Sequence, residues 1–189
     1  MPDITTTDVN KIDAEAVDGL AGVHNSLAYK VHEIEKHFHS AGSWFETATT
    51  PAGTTHTADR IGVGAGAFQL DAGDDTWGAW VQILGSTDTP ARTGGAYFDP
   101  HEMLIEAAER ENTYFIQFTQ GAVDAATSYA AGAYTELVIG VDATRKFKEI
   151  TSIHTGRAAA GSMLWARCMV PGVNTGTLDF FIGIHEYPG

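Results

Sequence analysis

The chain has 189 residues, 43% of them apolar, which is enough to bury one core of ordinary size with an accessory segment beside it. Its 11 Lys and Arg stand against 24 Asp and Glu, and the resulting formal charge of −13 repels phosphate backbones and anionic bilayers, arguing against a nucleic-acid or membrane partner. A single cysteine, Cys168, excludes an internal disulfide framework.

The first twelve residues carry neither a basic n-region nor an apolar h-region, and no later stretch approaches the ~20 apolar residues that cross a bilayer. The expectation is a protein made and kept in the cytosol, released by cell lysis if it is a viral product. Ile4, Val9 and Ile12, set among Thr and Asp, are the candidate attachment strip over 1–12, with a disordered tail as the plainer reading.

Residues 13–42 read as an oligomerising helix. Val17, Leu20, His24, Leu27, Val31, Ile34 and Phe38 follow a 3,4 repeat, with Val17, His24, Val31 and Phe38 at a and Leu20, Leu27 and Ile34 at d. Lys30 at g and Glu35 at e have the spacing of an interchain salt bridge in a parallel assembly. Asp13 is the expected N-cap and Gly42 the stop, while Gly19 and Gly22 weaken the first turns by about 1 kcal/mol each. So short a helix is marginal alone in water and has to pack on copies of itself or on the domain that follows. β-branched a with Leu at d favours two strands, but Ala21, Val23 and Ala28 at e and g widen the apolar face toward a third.

Over 43–189 short β-branched and aromatic runs alternate with Gly, Asn, Asp and Pro. The pattern predicts strands near 66–70, 77–84, 95–99, 102–107, 113–119, 134–141, 147–155, 163–170 and 177–187, with Thr47 to Gly66 and Gln120 to Gly132 as long loops. Tyr114, Ile116 and Phe118 share one face, as do Leu178, Phe180, Ile182 and Ile184. Strands without an intervening helical pattern indicate an antiparallel β-sandwich, most simply a jelly roll, so the chain is mainly β behind an N-terminal α-helix. Cys168 falls in the apolar run Met163 to Val170 and reads as an inert buried thiol.

The candidates for chemistry each have a structural reading. His37 and His39, at i and i+2, diverge on a helix and cannot chelate one ion there. His24 copies meet on the axis of an oligomer, as a polar register-setting position or around an ion or water. Asp71, Asp74 and Asp75 lack the alternating pattern of a calcium loop and read as a solvated turn. His101-Glu102 and His185-Glu186 are isolated pairs in strand-like runs, and hydrolysis by two distant carboxylates stays open. Trp44, Trp77, Trp80 and Trp165 are candidates to stack on a sugar, although most tryptophans in a sandwich fill its core. No catalytic motif, resident metal or cofactor is expected, and hence no enzyme.

The segments W-G-A-W-V-Q-I-L-G-S-T-D-T-P (Trp77 to Pro90) and W-A-R-C-M-V-P-G-V-N-T-G-T-L-D-F-F-I-G-I-H-E-Y-P-G (Trp165 to Gly189) resemble small virion proteins of tailed phages. The resemblance covers roughly residues 65–189, and the helix matches in layout only. It implies a homotrimer with a jelly-roll head that binds the phage major capsid protein or another virion protein, as a capsid decoration, cement or head-fibre protein. The alternative is a receptor-binding tail appendage that recognises host glycan. Long loops poor in aromatics, with only Tyr129, favour decoration.

Overall fold

Apolar residues place β10 (Met163–Val170), buried along most of its length, and β11 (Thr177–Tyr187), with one alternating buried face, in the interior of the fold. Leu178, Phe180, Ile182 and Ile184 are each no more than 1% exposed and point to one side of β11. Full burial of each contributes roughly 1.5–3 kcal/mol. The computed structural model describes residues 41–88, 96–141, 150–172 and 176–187. The expected heptad residues Val17, Leu20, His24, Leu27, Val31, Ile34 and Phe38, the Lys30/Glu35 pair and the strip Ile4, Val9, Ile12 lie outside the described residues, as do His37 and His39.

The chain is mainly β, and Ala41–Gly189 forms one compact unit. The remaining elements are β1 (Ala41–Ala52), β2 (His56–Arg60), β3 (Phe68–Asp74), β4 (Val81–Leu84), β5 (Tyr97–Ala108), β6 (Thr113–Gly121), α1 (Ala125–Ala130), β7 (Tyr134–Gly140), β8 (Ile150–Ser152) and β9 (Ala158–Ala159). One group of strands is centred on β11, which pairs antiparallel with β5 on one side and with β1 and β3 on the other. β2 extends this group beyond β1, and β8 and β9 extend it beyond β5. A second group is centred on β10, flanked by β6 and then β7 on one side and by β4 and the end of β3 on the other. β3 belongs to both groups. Phe118 of β6 meets Phe180 of β11 edge-on, ring centroids 6.2 Å apart, and Phe68 lies 5.8 Å from Phe180, so both groups feed one sandwich-like core.

Several expectations are corrected. The sandwich is not wholly antiparallel, because β10 runs parallel to β3 from Cys168↔Ala72 to Val170↔Asp74. The Thr47 to Gly66 stretch is not a loop: it holds the end of β1 and all of β2, where threonines suit a paired edge. Gln120 to Gly132 contains α1, capped by Asp124, whose side chain accepts the Thr127 N–H at 2.8 Å. Gly121 permits that helix to dock, since a Cβ there would run into Ser128 Oγ. Gly42, the expected helix stop, sits inside β1, which begins at Ala41, and the helix expected before it lies outside the described residues. The two strands expected at 95–99 and 102–107 are one strand, β5, kinked by a bulge at His101. Asp71 and Asp74 belong to β3, which runs on past the expected end at 70, and Trp77 to Trp80 precede β4 instead of lying within it.

Candidate functional site

The bulge in β5 decides which side chains share the outer face of the β11 group. Gly183 pairs with Glu102 and Ile184 with Pro100, leaving His101 as the extra residue. Phe98, Pro100 and Met103 therefore stay buried, while Asp99, His101 and Glu102 share the opposite face. His185 pairs directly with Asp99 and, one residue out of phase with Ile184, projects to that same face.

The consequence is a cluster of imidazoles and a carboxylate. The rings of His101 and His185 stack with centroids 4.0 Å apart and planes 22° from parallel. Asp99, His101 and His185 offer ligand atoms that all lie within 4.8 Å of one another, a grouping not matched elsewhere among the described residues. His154 stands edge-on to His101 at 6.4 Å, carried there because Ile153 donates its N–H to the His101 carbonyl at 2.7 Å. Asp99 accepts the Tyr187 hydroxyl on Oδ2 at 2.9 Å, whereas its Oδ1 is shut off from water and accepts no hydrogen bond. The Tyr187 phenol is pushed up to about 12, by burial first and by the Asp99 hydrogen bond and charge next. Arg157 lies over the Tyr187 ring, 3.9 Å from its centroid. Trp44 closes the next position on the face by lying against Gly183, where a Cβ would come within 3.2 Å of its ring.

A second feature occupies the outer face of the β10 group. Arg167 spreads its guanidinium over Trp80 at 4.2 Å, Tyr129 at 4.8 Å and Trp77 at 5.1 Å. Its Nε donates to Gln117 Oε1 at 2.7 Å, and the Gln117 amide donates in turn to Glu136. Tyr134, 45% exposed, continues the aromatic surface 4.7 Å from Tyr129. Trp165 is the one buried tryptophan, set in a small second core with Ala125 and Met163. The others are half-buried, so the expectation that most of them fill the core is not met.

The remaining sequence candidates separate. Asp71, Asp74 and Asp75 are all exposed. Asp75 adopts a left-handed φ of 47° and accepts the Gly172 N–H at 2.8 Å, which makes it a turn residue. Glu186 faces away from His185 and is 3% exposed, with neither carboxylate oxygen hydrogen-bonded. Sequence reasoning missed Asp88, a wholly buried carboxylate that accepts N–H groups from Thr57, Ala58 and Gly85 and contacts His56. It missed the Asp99 cluster too, although Asp99 and His101 at i and i+2 on a strand were a visible same-side pair. Comparison with protein-family models, with curated proteins and with solved structures finds no match to this chain.

Proposed function

We propose that the protein is a tailed-phage virion structural protein, a capsid decoration, cement or head-fibre protein that binds the assembled particle as a homotrimer. The observation that carries the reading is the layout. A heptad-patterned segment ending at Phe38 leads at once into a compact β unit that begins at Ala41. An oligomer whose attachment end lies on its own axis meets a three-fold vertex with equal contacts, so weak individual contacts combine into lasting attachment. We read the β unit as a jelly-roll head, in keeping with its adjacent first and last strands, β1 and β11. The partner is the phage major capsid protein or another virion protein, and the location is the virion, assembled in the host cytoplasm. Neither nucleic acid nor membrane is a partner, and the role is not enzymatic.

The test mixes particles stripped of the protein with the full chain and with a chain lacking residues 1–12, followed by pelleting. The full chain is expected in the pellet and the truncated one in the supernatant, with occupied particles more resistant to heat, because a ligand of the assembled state alone stabilises it by mass action. Equal recovery of both forms refutes the N-terminal grip.

A second reading is favoured by one feature, the aromatic and guanidinium surface of Trp77, Trp80, Tyr129, Tyr134 and Arg167. Flat aromatic faces beside fixed polar groups suit a sugar ring, as in a receptor-binding appendage. Retention on a glycan array, lost in Trp80→Ala and absent on capsids, would move the assignment there.

A further inference from the structure

We infer that Asp99, His101 and His185 form a binding site for a divalent first-row transition ion, zinc in the first instance, on the outer face of the β11 group. Three observations converge on it. Two imidazoles and a carboxylate already lie within 4.8 Å of one another, whereas ligands at about 2.0–2.1 Å from a tetrahedral ion sit roughly 3.3 Å apart. Small side-chain rotations close that difference. Asp99 Oδ1 is buried without a hydrogen bond, at a cost that an ion would relieve. Its other oxygen is fixed by the Tyr187 hydroxyl, the outer support that orients a ligating carboxylate and leaves one lone-pair face for the ion.

The backbone explains why these three residues meet. Asp99 and His101 are two apart on β5 and so share the outer face, which the bulge at His101 extends to Glu102. His185 is the paired residue across the β5–β11 ladder. The donors thus come from two hydrogen-bonded strands of a rigid sheet, which holds their geometry better than a loop does. Charge agrees with the assignment. Asp99 and Glu102 both lie on this face, where Arg157 is stacked on Tyr187. Imidazole nitrogen suits zinc and its neighbours in the first row and suits calcium or magnesium poorly. The fourth position opens toward His154, which is exposed and near His101, so it is filled by that imidazole or by water.

The test uses the full chain stripped with a chelator and dialysed. His24, His32, His37 and His39 are further possible zinc ligands, so the readout is the difference between parent and variant. Zinc competition against a chromophoric chelator is expected to show a site in the parent chain that weakens at least 100-fold in His185→Ala. It is expected to weaken about 10–100-fold in Asp99→Asn, which keeps an acceptor for Tyr187 and so preserves the fold. Cobalt(II) should give visible absorption that both variants lose, and His154→Ala should alter that spectrum if the imidazole is the fourth ligand or leave it unchanged if water is. Resonances of the His101 and His185 rings should shift on zinc addition in the folded parent, a measurement that needs no variant. Equal zinc affinity and stoichiometry in parent, His185→Ala and Asp99→Asn overturns the proposal, as does calcium binding at this site in preference to zinc.

Discussion

Asp88 Oδ1 lies 2.7 Å from His56 Nδ1 across 32 positions of chain, and with this contact the turn after β4 is clasped to the start of β2. The other oxygen of Asp88 collects the N–H groups of Thr57, Ala58 and Gly85 at 3.0, 3.0 and 2.6 Å. The carboxylate is wholly buried, so its removal strands three backbone donors. Asp88→Ala is expected to cost about 3 kcal/mol in urea unfolding, and Asp88→Asn less, because one acceptor survives. His56→Ala should cost less than either, since the imidazole is partly exposed and the backbone donors keep their partner.

Glu46 shows the same device on the other side of the β1–β2 hairpin. Its Oε1 accepts N–H groups from Gly62 at 2.9 Å and Gly64 at 2.7 Å, drawing the following loop onto β1. Gly64 sits so close that a Cβ would collide with the Thr47 carbonyl and the Glu46 stem. Gly64→Ala should therefore destabilise by about 1–3 kcal/mol, read as a lowered thermal midpoint. Gly132→Ala provides a comparison limited to backbone strain, because its φ is 79° and nothing stands near its Cβ.

Cys168 is fully buried, and its thiol is pushed up to about 12, by burial first and by the negative charge of Asp71 second. The folded chain should resist thiol reagents at pH 8 and react only on unfolding. The raised value also fixes a sign. An acid that holds its proton more tightly when folded contributes stability that is complete below the unfolded thiol value, and this is lost as pH rises toward the folded one. Stability should accordingly fall between about pH 9 and about pH 12, with a shallower fall in Cys168→Ala than in the parent.

Arg167 is held by three aromatic faces and by Gln117, itself 1% exposed. Arg167→Leu keeps much of the apolar stem but removes the charge and the Nε hydrogen bond to buried Gln117 together, so the cation–π contacts and the stranded amide oxygen are expected to cost about 1–3 kcal/mol between them. The change should also alter tryptophan fluorescence, because Trp77 and Trp80 lose a neighbouring cation. A spectrum identical to the parent's would contradict the stacked arrangement.

Self-association is expected to follow from residues 17–38. Leu27→Asp places a charge at a d position of the heptad and should convert the oligomer to monomer in sedimentation equilibrium while the β unit retains its circular dichroism. A parent chain that sediments as a stable monomer at all concentrations would defeat the trimer and with it the multivalent attachment.

What the sequence by itself determined is local. Alternation in Tyr114, Ile116 and Phe118 and in Leu178 to Ile184 identified core faces, because a period of two is written in adjacent residues and needs no partner to be seen. The apolar run around Cys168 likewise marked a buried strand. Tertiary structure decided the rest. Whether Thr47 to Gly66 pairs or loops depends on Glu46 and Asp88, carboxylates whose backbone donors lie elsewhere in the chain. The parallel alignment of β10 on β3 joins strands far apart in the chain, so no local pattern in either one announces it. His101-Glu102 and His185-Glu186 look alike and unrelated in the sequence, yet ladder register brings the two imidazoles together and sends Glu186 to the other side. The register does this by pairing His185 with Asp99, whose face His101 shares two residues on. One extra residue in β5 brings Glu102 to that face as well, since a single-residue shift reverses the side chains beyond it and only the paired neighbour fixes where it falls.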